Sequence, residues 1–228
     1  MRKKLVVLSG AGISEESGLK TFRDADGLWE GYDVMRVASL EGWCKNRKLV
    51  LDFYNERRRQ SLQVNPNQAH KSLVELEGKF DVSIITQNVD DLHERAGSKN
   101  VIHIHGELLK SRSTKNEKLI YTQTADINVG DKCELGSQLR PHIVWFGENV
   151  SLMKTAIKKV IEADYFIIVG TSLLVYPAAS LISYIKEECN SFYVDKQPNL
   201  EYLPKDLRLI KDKATVGIPI VVKKLLRL

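Results

Sequence analysis

Short apolar runs rich in valine and isoleucine recur along the chain, and they alternate with segments that have helical spacing. The runs lie at residues 5–8, 82–86, 101–104, 165–169 and 192–194. Such runs are typical of strands that are buried on both faces. The segments between them, such as residues 67–76 and 178–188, repeat apolar residues at the spacing of a helix. This alternation predicts an α/β fold with a doubly wound parallel sheet.

Two stretches do not fit the alternation. Residues 34–63 have a helical pattern, and residues 108–138 are polar apart from a short apolar run at 119–121. We interpret both as insertions that form a smaller second lobe. The predicted boundaries assign residues 1–33, 78–107 and 139–228 to a large lobe, and residues 34–77 and 108–138 to the small lobe.

Composition excludes several classes of protein. The cysteines, Cys44, Cys133 and Cys189, are too few and too far apart for a disulfide framework. No apolar stretch approaches the ~20 residues of a membrane span, and the first apolar run stops at Ser9-Gly10, too early for a secretory signal. We therefore expect a cytoplasmic protein with no membrane segment. We also expect a monomer. Only the net charge of +5 points to nucleic acid, so we do not expect nucleic-acid binding.

The first apolar run leads directly into closely spaced glycines, Gly10-Ala11-Gly12-Ile13-Ser14. Glycine lets the backbone approach a pyrophosphate, and the free N–H groups of a helix start attract its charge. The next glycine, Gly18, comes too late for the usual dinucleotide-binding spacing, so a plain tight turn stays an alternative. Arg23 follows in the segment Thr21-Phe22-Arg23-Asp24, where phosphate contact is favoured over a surface salt bridge. Trp29, by contrast, is a residue type that most often packs in a core.

Polar residues follow three further apolar runs. Ligands of open parallel sheets bind beyond the carboxyl ends of the strands. Gln87-Asn88-Val89-Asp90 would supply donors and acceptors there for ribose hydroxyls and a carboxamide, although a turn that caps the next helix is an equal alternative. The hydroxyls of Gly170-Thr171-Ser172 suit phosphate or ribose, and Asp195 lies where an adenosine ribose would bind.

His103 and His105 lie at the end of the run at residues 101–104 and directly after it. The two-residue period of a strand places them on one face. A histidine at a strand end is a candidate general base, since its pKa lies near neutrality. A structural histidine is the alternative when either residue is considered singly.

Taken together and in this order, these segments resemble the sirtuin family. The motifs that carry the resemblance span nearly the whole chain: Gly10-Ala11-Gly12-Ile13-Ser14, Thr21-Phe22-Arg23 with Gly27-Leu28-Trp29, Gln87-Asn88-Val89-Asp90, His105-Gly106, Leu139-Arg140-Pro141, Val144-Trp145-Phe146-Gly147-Glu148 and Gly170-Thr171-Ser172. The resemblance implies a Rossmann-like parallel sheet with helices on both faces, plus a smaller inserted lobe. It also implies an NAD-dependent protein lysine deacylase whose partners are acylated-lysine proteins and whose products are nicotinamide and O-acyl-ADP-ribose.

The resemblance further implies a role for each matching residue. His105 would be the general base, and Asn88 would act beside it in catalysis. The residues implied to bind NAD are Gly10, Ala11, Gly12, Ile13, Phe22, Arg23, Trp29, Gln87, Asn88, Asp90, Gly170, Thr171, Ser172, Asp195 and Ala214. Val144, Phe146 and Gly147 would bind the acylated peptide.

A tyrosine and an arginine in the helical insertion bear on acyl preference. Tyr54 and Arg57 are three residues apart and therefore share a helix face, and they resemble the pair found in sirtuins that accept succinyl- or malonyl-lysine. A guanidinium can bind a carboxylate through two hydrogen bonds. The alternative is that Tyr54 is a core residue and residues 57–59 form a solvated basic face, as we expect of Arg58 and Arg59.

The chain departs from many sirtuins in the small lobe, where four cysteines would hold a structural zinc ion. Residues 108–138 contain only Cys133, and one thiolate cannot form a tetrahedral Cys₄ site. We predict no structural zinc site. Two alternatives to deacylation remain: transfer of ADP-ribose to protein or hydrolysis of NAD in the same pocket, and a non-catalytic NAD-sensing module.

Overall fold

The computed structural model describes residues 2–20, 28–29, 31–201 and 203–228. Within these ranges the strands are Lys4–Ser9 (β1), Leu28–Trp29 (β2), Tyr32–Asp33 (β3), Asp81–Thr86 (β4), Val101–His103 (β5), Gly106–Ser113 (β6), Ile120–Thr122 (β7), Leu139–Ile143 (β8), Tyr165–Val169 (β9), Asn190–Val194 (β10) and Arg208–Ile210 (β11). The α-helices are Val34–Val37 (α1), Leu40–Lys45 (α2), Arg47–Gln63 (α3), Gln68–Glu75 (α4), Leu92–Ala96 (α5), Met153–Ile161 (α6) and Ala214–Leu226 (α7).

Six strands form one parallel sheet in the order β11-β10-β9-β1-β4-β5. Alternate side chains of β1 enter two separate apolar cores, which explains why the run contains no polar positions. Leu5 and Val7 pack with residues of α4 and α7 on one face, whereas Val6 and Leu8 pack with residues of α6 on the other. The parallel α/β sheet predicted from the sequence is confirmed.

The register of the sheet brings the ends of neighbouring strands level. Ser9 at the end of β1 is paired with Thr86 of β4, and Thr86 is in turn paired with His103 of β5. On the other side of β1, Ser9 is paired with Val169 of β9. The polar segments that follow β1, β4, β5 and β9 therefore leave the sheet at one edge.

The small lobe joins α1, α2 and α3 to an antiparallel sheet in the order β7-β6-β8. Its core is aromatic: Phe53, Tyr54, Trp43 and Trp145 are all at most 5% exposed. Ring contacts connect them, with centroids 5.1 Å apart for Phe53–Tyr54 and 5.4 Å apart for Trp43–Trp145. Offset and edge-to-face contacts of this kind add stability beyond the area that they bury.

The predicted lobe boundaries stay a prediction, and the packing bears on them at two points. Ala69 and Leu73 of α4 belong to the same apolar core as α7 and the parallel sheet. Strand β8 pairs with β6 in the antiparallel sheet of the small lobe. These contacts favour a boundary that leaves α4 with the large lobe and β8 with the small lobe.

The expected solvated basic face on α3 is wrong at Arg58. This side chain is fully buried, and its guanidinium donates to the Leu108 carbonyl at 3.1 Å and to Asn55 Oδ1 at 2.7 Å. Arg59 is exposed as expected and pairs with Asp126 at 2.5 Å. Burial lowers the pKa of Arg58 to about 10. Arg58 thus ties α3 to β6 instead of facing water.

Hydrogen bonds hold the region of the missing zinc cysteines. The thiol of Cys133 lies 3.3 Å from Ser113 Oγ and 3.1 Å from Ser137 Oγ, and the two hydroxyls are 2.8 Å apart. Asn55 of α3 also exchanges two hydrogen bonds of 2.9 Å with the backbone of Ile127. Among the residues described, no group of three or more His, Cys, Asp or Glu side chains could hold a metal ion. In the same part of the chain, no helix is both long and apolar enough to cross a membrane.

Candidate active site

A cleft lies where the polar ends of the parallel strands face the small lobe. Most of the residues predicted from the sequence to bind ligands or act in catalysis line it. These are Gly10, Ala11, Trp29, Tyr54, Arg57, Gln87, Asn88, Asp90, His105, Val144, Phe146, Gly147, Gly170, Thr171 and Ser172. The fold therefore brings together residues that are as much as 162 positions apart, from Gly10 to Ser172.

The glycine turn after β1 packs directly on the turn after β9. The amide of Gly10 donates to Val169 O at 3.0 Å, and that of Gly12 donates to Gly170 O at 2.8 Å. A Cβ atom on Gly12 would lie 2.8 Å from the Gly170 Cα atom, closer than real Cβ contacts allow. Gly170 also has a φ of 61°, a left-handed conformation that favours glycine. These glycines are needed because two backbone turns meet at van der Waals distance.

The amide pair after β4 is fixed by hydrogen bonds to both neighbouring turns. Gln87 Nε2 donates to Thr171 Oγ1 at 2.9 Å, and Asn88 Nδ2 donates to Ser14 Oγ at 3.1 Å. Asp90 is 7% exposed, and its carboxylate accepts from the Leu92 amide at 3.1 Å. Burial raises the pKa of Asp90, against the effect of its hydrogen bonds. Asp90 therefore lines the cleft and also bonds the first amide of α5, although the N-cap of that helix is Asp91. Ligand binding by Asp90 stays a prediction.

His105 lies in the turn between β5 and β6 and lines the cleft. Its Nδ1 atom is 3.1 Å from the carbonyl oxygen of Gln87. A carbonyl oxygen can only accept, so Nδ1 carries the hydrogen and the neutral ring keeps its lone pair on Nε2. Burial lowers the pKa of His105, although the Gln87 carbonyl acts in the opposite direction. The ring is therefore neutral at physiological pH and can accept a proton.

Tyr54 and Arg57 lie on one face of α3, and both line the cleft. The phenol oxygen of Tyr54 accepts the indole N–H of Trp145 at 3.0 Å. The Arg57 guanidinium lies 5.4 Å above the Phe53 ring, with Nη2 3.5 Å from Glu56 Oε1. Tyr54 is completely buried and Arg57 is 7% exposed, so Tyr54 is a core residue, as in the alternative interpretation, and it also lines the cleft.

The remaining predicted residues do not line this cleft or lie outside the described structure. Gly12, Ile13, Asp195 and Ala214 are not among the described residues that line it. Ile13, Asp195 and Ala214 are at most 5% exposed, and Ala214 begins α7. Phe22 and Arg23 lie outside the described residues.

The Sir2 family profile matches residues 10–177, which include the glycine turn, both histidines and the turn after β9. The chain belongs to the Sir2 family. It is 55% identical over 226 residues to an NAD-dependent protein deacylase of Helicobacter pylori, with 99% of each chain covered. It is 46% identical to an NAD-dependent protein deacylase of Bacteroides thetaiotaomicron, with 95% of each chain covered.

Solved Sir2 structures share the fold over almost the entire chain. The structure of a Sir2 homolog–NAD complex superposes with a TM-score of 0.88 at 37% identity and covers 99% of this chain and 90% of that one. Sir2 bound to acetylated peptide superposes with a TM-score of 0.82 at 29% identity and covers 98% of this chain and 93% of that one. The predicted sirtuin family, α/β fold and class of NAD-dependent protein deacylase are confirmed. The roles of individual residues stay predictions.

One feature of this Sir2 cleft was not predicted from the sequence. The Glu148 carboxylate accepts two hydrogen bonds from the Arg140 guanidinium, at 2.7 and 2.9 Å, and one from Arg112 at 3.0 Å. It also accepts the Trp145 amide at 2.8 Å, and the Arg140 guanidinium lies 3.3 Å from the Trp145 ring centroid. Burial opposes the charge, but pairing with Arg140 and Arg112 lowers the pKa of Glu148 overall. Arg112 is 36 residues distant, so no local pattern connects it to Glu148.

We expect Glu148→Gln to lower the free energy of unfolding by about 3 kcal/mol, because it leaves two nearly buried guanidinium groups without a matching charge. For a chain of this length, that loss corresponds to a fall in Tm of roughly 6–12 °C. Thermal denaturation followed by circular dichroism would measure it. Glu162→Gln is the control, because Glu162 pairs with Lys4 at the surface and its side chain is 36% exposed. Equal Tm values for the two variants would contradict the argument.

Proposed function

We propose that this NAD-dependent protein deacylase removes acyl groups from lysine side chains in the cleft, with His105 as the general base. The observation that carries the proposal is the hydrogen bond from His105 Nδ1 to the Gln87 carbonyl, since it leaves Nε2 as the proton acceptor. The same cleft is lined by the glycine turn after β1 and by Asn88.

The residues of the cleft fit a dinucleotide. Gly10 and Ala11 present backbone with almost no side chain, and a Cβ atom on Gly10 would lie 2.7 Å from Gly170 O. Gly170, Thr171 and Ser172 line the same cleft, and the last two add hydroxyl groups. These residues would hold the phosphates and the adjoining ribose. NAD supplies a ribose carbon that becomes electrophilic as neutral nicotinamide departs.

The side chains of the protein would act as the base, orient the sugar and bind the peptide. Nε2 of His105 would take the proton of a ribose hydroxyl, which raises the nucleophilicity of that oxygen toward the acyl carbon. Gln87 and Asn88 would orient the sugar, since their amide groups are held by Thr171 and Ser14. Val144, Phe146 and Gly147 would bind the peptide backbone beside them. A base fixed in this way supplies a rate factor of about 10²–10⁴.

The lowered pKa of His105 gives the expected pH dependence. The general base works only when its ring is neutral, which holds above its pKa. Because burial lowers that pKa, we expect kcat/KM to hold down to pH values below the ordinary histidine range and to fall only as the pH drops further. Initial rates between pH 4.5 and 8, at subsaturating substrate, would measure the acidic limb. An acidic limb whose midpoint lies at or above the ordinary histidine pKa would contradict the assignment of His105 as the base.

We also propose that Tyr54 and Arg57 select acyl groups that end in a carboxylate, such as succinyl and malonyl. The phenol of Tyr54 accepts the Trp145 indole and keeps its own hydrogen for donation. Arg57 adds a positive charge on the same helix face. A carboxylate in the cleft would receive charge-assisted hydrogen bonds from both side chains.

Product analysis tests the reaction itself. The protein is incubated with NAD and peptides that carry acetyl-, succinyl- or malonyl-lysine, and the products are identified by mass spectrometry. We expect free lysine peptide, nicotinamide and O-acyl-ADP-ribose in equal amounts. ADP-ribose formed without peptide would indicate NAD hydrolysis, and a peptide heavier by one ADP-ribose would indicate ADP-ribosyl transfer. NAD binding without release of nicotinamide would indicate a sensing module. We propose the cytoplasm as the site of the reaction, since all three cysteines are free.

A further inference from the structure

His103 lies two residues before His105, and the mechanism above does not use it. The side chain is 8% exposed, and both ring nitrogens contact oxygen atoms. Nδ1 is 2.9 Å from the backbone carbonyl oxygen of Asn88, and Nε2 is 2.7 Å from Glu94 Oε1. Each contact is short enough to be a strong hydrogen bond.

Both contacts can be hydrogen bonds only if both ring nitrogens carry hydrogen, since a carbonyl and a carboxylate are acceptors. His103 is therefore an imidazolium ion. Burial opposes this charge, but the hydrogen bond and charge of Glu94, followed by the Asn88 carbonyl and Glu107, raise the pKa of His103 overall. Glu94 also fixes the orientation of the ring, because its contact with Nε2 leaves Nδ1 directed toward the Asn88 carbonyl.

The two histidines hold consecutive carbonyl groups of the same loop. His105 donates to the carbonyl of Gln87, and His103 donates to that of Asn88. On its other side, Asn88 is held by its amide, which donates to Thr86 Oγ1 at 3.0 Å, and by its side chain, which donates to Ser14. Asn88 is 6% exposed, so loss of the His103 donor would leave a nearly buried carbonyl without its partner.

We propose that His103, oriented by Glu94, is a positioning residue that sets the backbone of Asn88 and thereby the place of its side chain beside the catalytic base. This inference rests on the roles proposed above for Asn88 and His105. The contact that matters is the one through Nδ1, and the contact through Nε2 serves to orient the ring. Residues that retain only one of the two donors can separate these contacts.

The test compares three substitutions of His103. In His103→Asn, the side-chain amide nitrogen takes the place of Nδ1 and can still donate to Asn88. In His103→Gln, the amide nitrogen takes the place of Nε2 and reaches only Glu94. His103→Phe removes both donors. The readouts are kcat and the KM values for NAD and acyl peptide, together with Tm for each variant.

We expect His103→Gln and His103→Phe to lower kcat/KM for NAD about 10-fold, as for a buried acceptor left unpaired. His103→Asn should stay within about 3-fold of wild type, and the KM for acyl peptide should be unchanged in all three variants. In Glu94→Gln the side-chain amide can donate to Nε2 of a neutral ring whose Nδ1 keeps its hydrogen for Asn88, so this variant should also stay near wild type. Equal losses of kcat/KM in His103→Asn and His103→Gln would overturn the inference. So would losses of kcat/KM that are explained by a parallel fall in Tm.

His105→Ala is measured in the same assay to separate this inference from the proposed function. If His105→Ala is inactive and His103→Gln is fully active, only the positioning role fails. If His105→Ala retains full activity, the proposed function fails, whatever the His103 variants show.

Discussion

Replacement of His105 by alanine should lower kcat for lysine deacylation by about 10²–10⁴-fold, the contribution of a positioned general base. The ring lines the cleft, and its Nε2 is the proton acceptor because Nδ1 is bound to the Gln87 carbonyl. Residues that would hold the dinucleotide keep their own hydrogen bonds, so we expect the Kd for NAD to change by less than about tenfold. Steady-state kinetics and titration calorimetry would measure the two quantities.

His142→Ala is a matched control for this experiment. His142 lies on β8 and is also half-buried, but it is not among the described residues that line the cleft. Its loss should leave kcat within about twofold of wild type, as for substitutions away from a site. If the two variants had the same kcat, His105 could not be the base.

Arg57→Met should reduce kcat/KM for succinyl-lysine peptide by about 100-fold while changing that for acetyl-lysine by less than about threefold. Charge-assisted hydrogen bonds to a carboxylate contribute about 1.5–3 kcal/mol each, and an acetyl group offers no carboxylate to lose. Methionine keeps much of the apolar stem of arginine but loses the guanidinium that lies over the Phe53 ring, so Tm is measured beside the rates. Initial rates on the two peptides, measured at several NAD concentrations, give the ratio of kcat/KM for succinyl-lysine to that for acetyl-lysine.

Arg59→Met provides the comparison, because Arg59 lies on the same helix but pairs with Asp126 at the surface. It should change neither rate. Equal losses on succinyl- and acetyl-lysine in Arg57→Met would show that Arg57 supports the fold or the dinucleotide instead of selecting the acyl group. Tm values for both variants distinguish those two outcomes.

The parallel sheet could be predicted because its strands are buried on both faces. In β9, Ile167 and Val169 enter one core while Phe166 and Ile168 enter the other, so consecutive positions must be apolar, and that requirement is visible in one sequence. The convergence of Gln87, His105 and Gly170 at one edge followed from the parallel direction of the strands. Their chemistry could be inferred from residue type, since only certain side chains transfer protons or approach phosphate.

Interactions over long sequence separations could not be predicted in this way. Arg58 occurs in a run of three arginines that resembles a solvated surface, yet it is buried and donates to the backbone carbonyl of Leu108, 50 residues later. The ion pairs of Glu148 with Arg112 and Arg140 could not be predicted either. A buried charge needs a partner, and the fold supplies that partner from a distant part of the sequence. The position of Asp90 was also open from sequence alone, because a carboxylate that lines a cleft and one that bonds the start of a helix look the same in a sequence.

The hydrogen bond between the Trp145 indole and the Tyr54 hydroxyl has a practical consequence for substrate profiling. Tyr54 would line the acyl pocket, and Trp145 lies in the segment beside which the peptide would bind. The hydrogen bond therefore couples the acyl pocket to the peptide-binding segment. Flanking-residue preferences measured with acetylated libraries would then not transfer to longer acyl groups. Rankings of acyl groups obtained with one peptide scaffold would likewise depend on that scaffold.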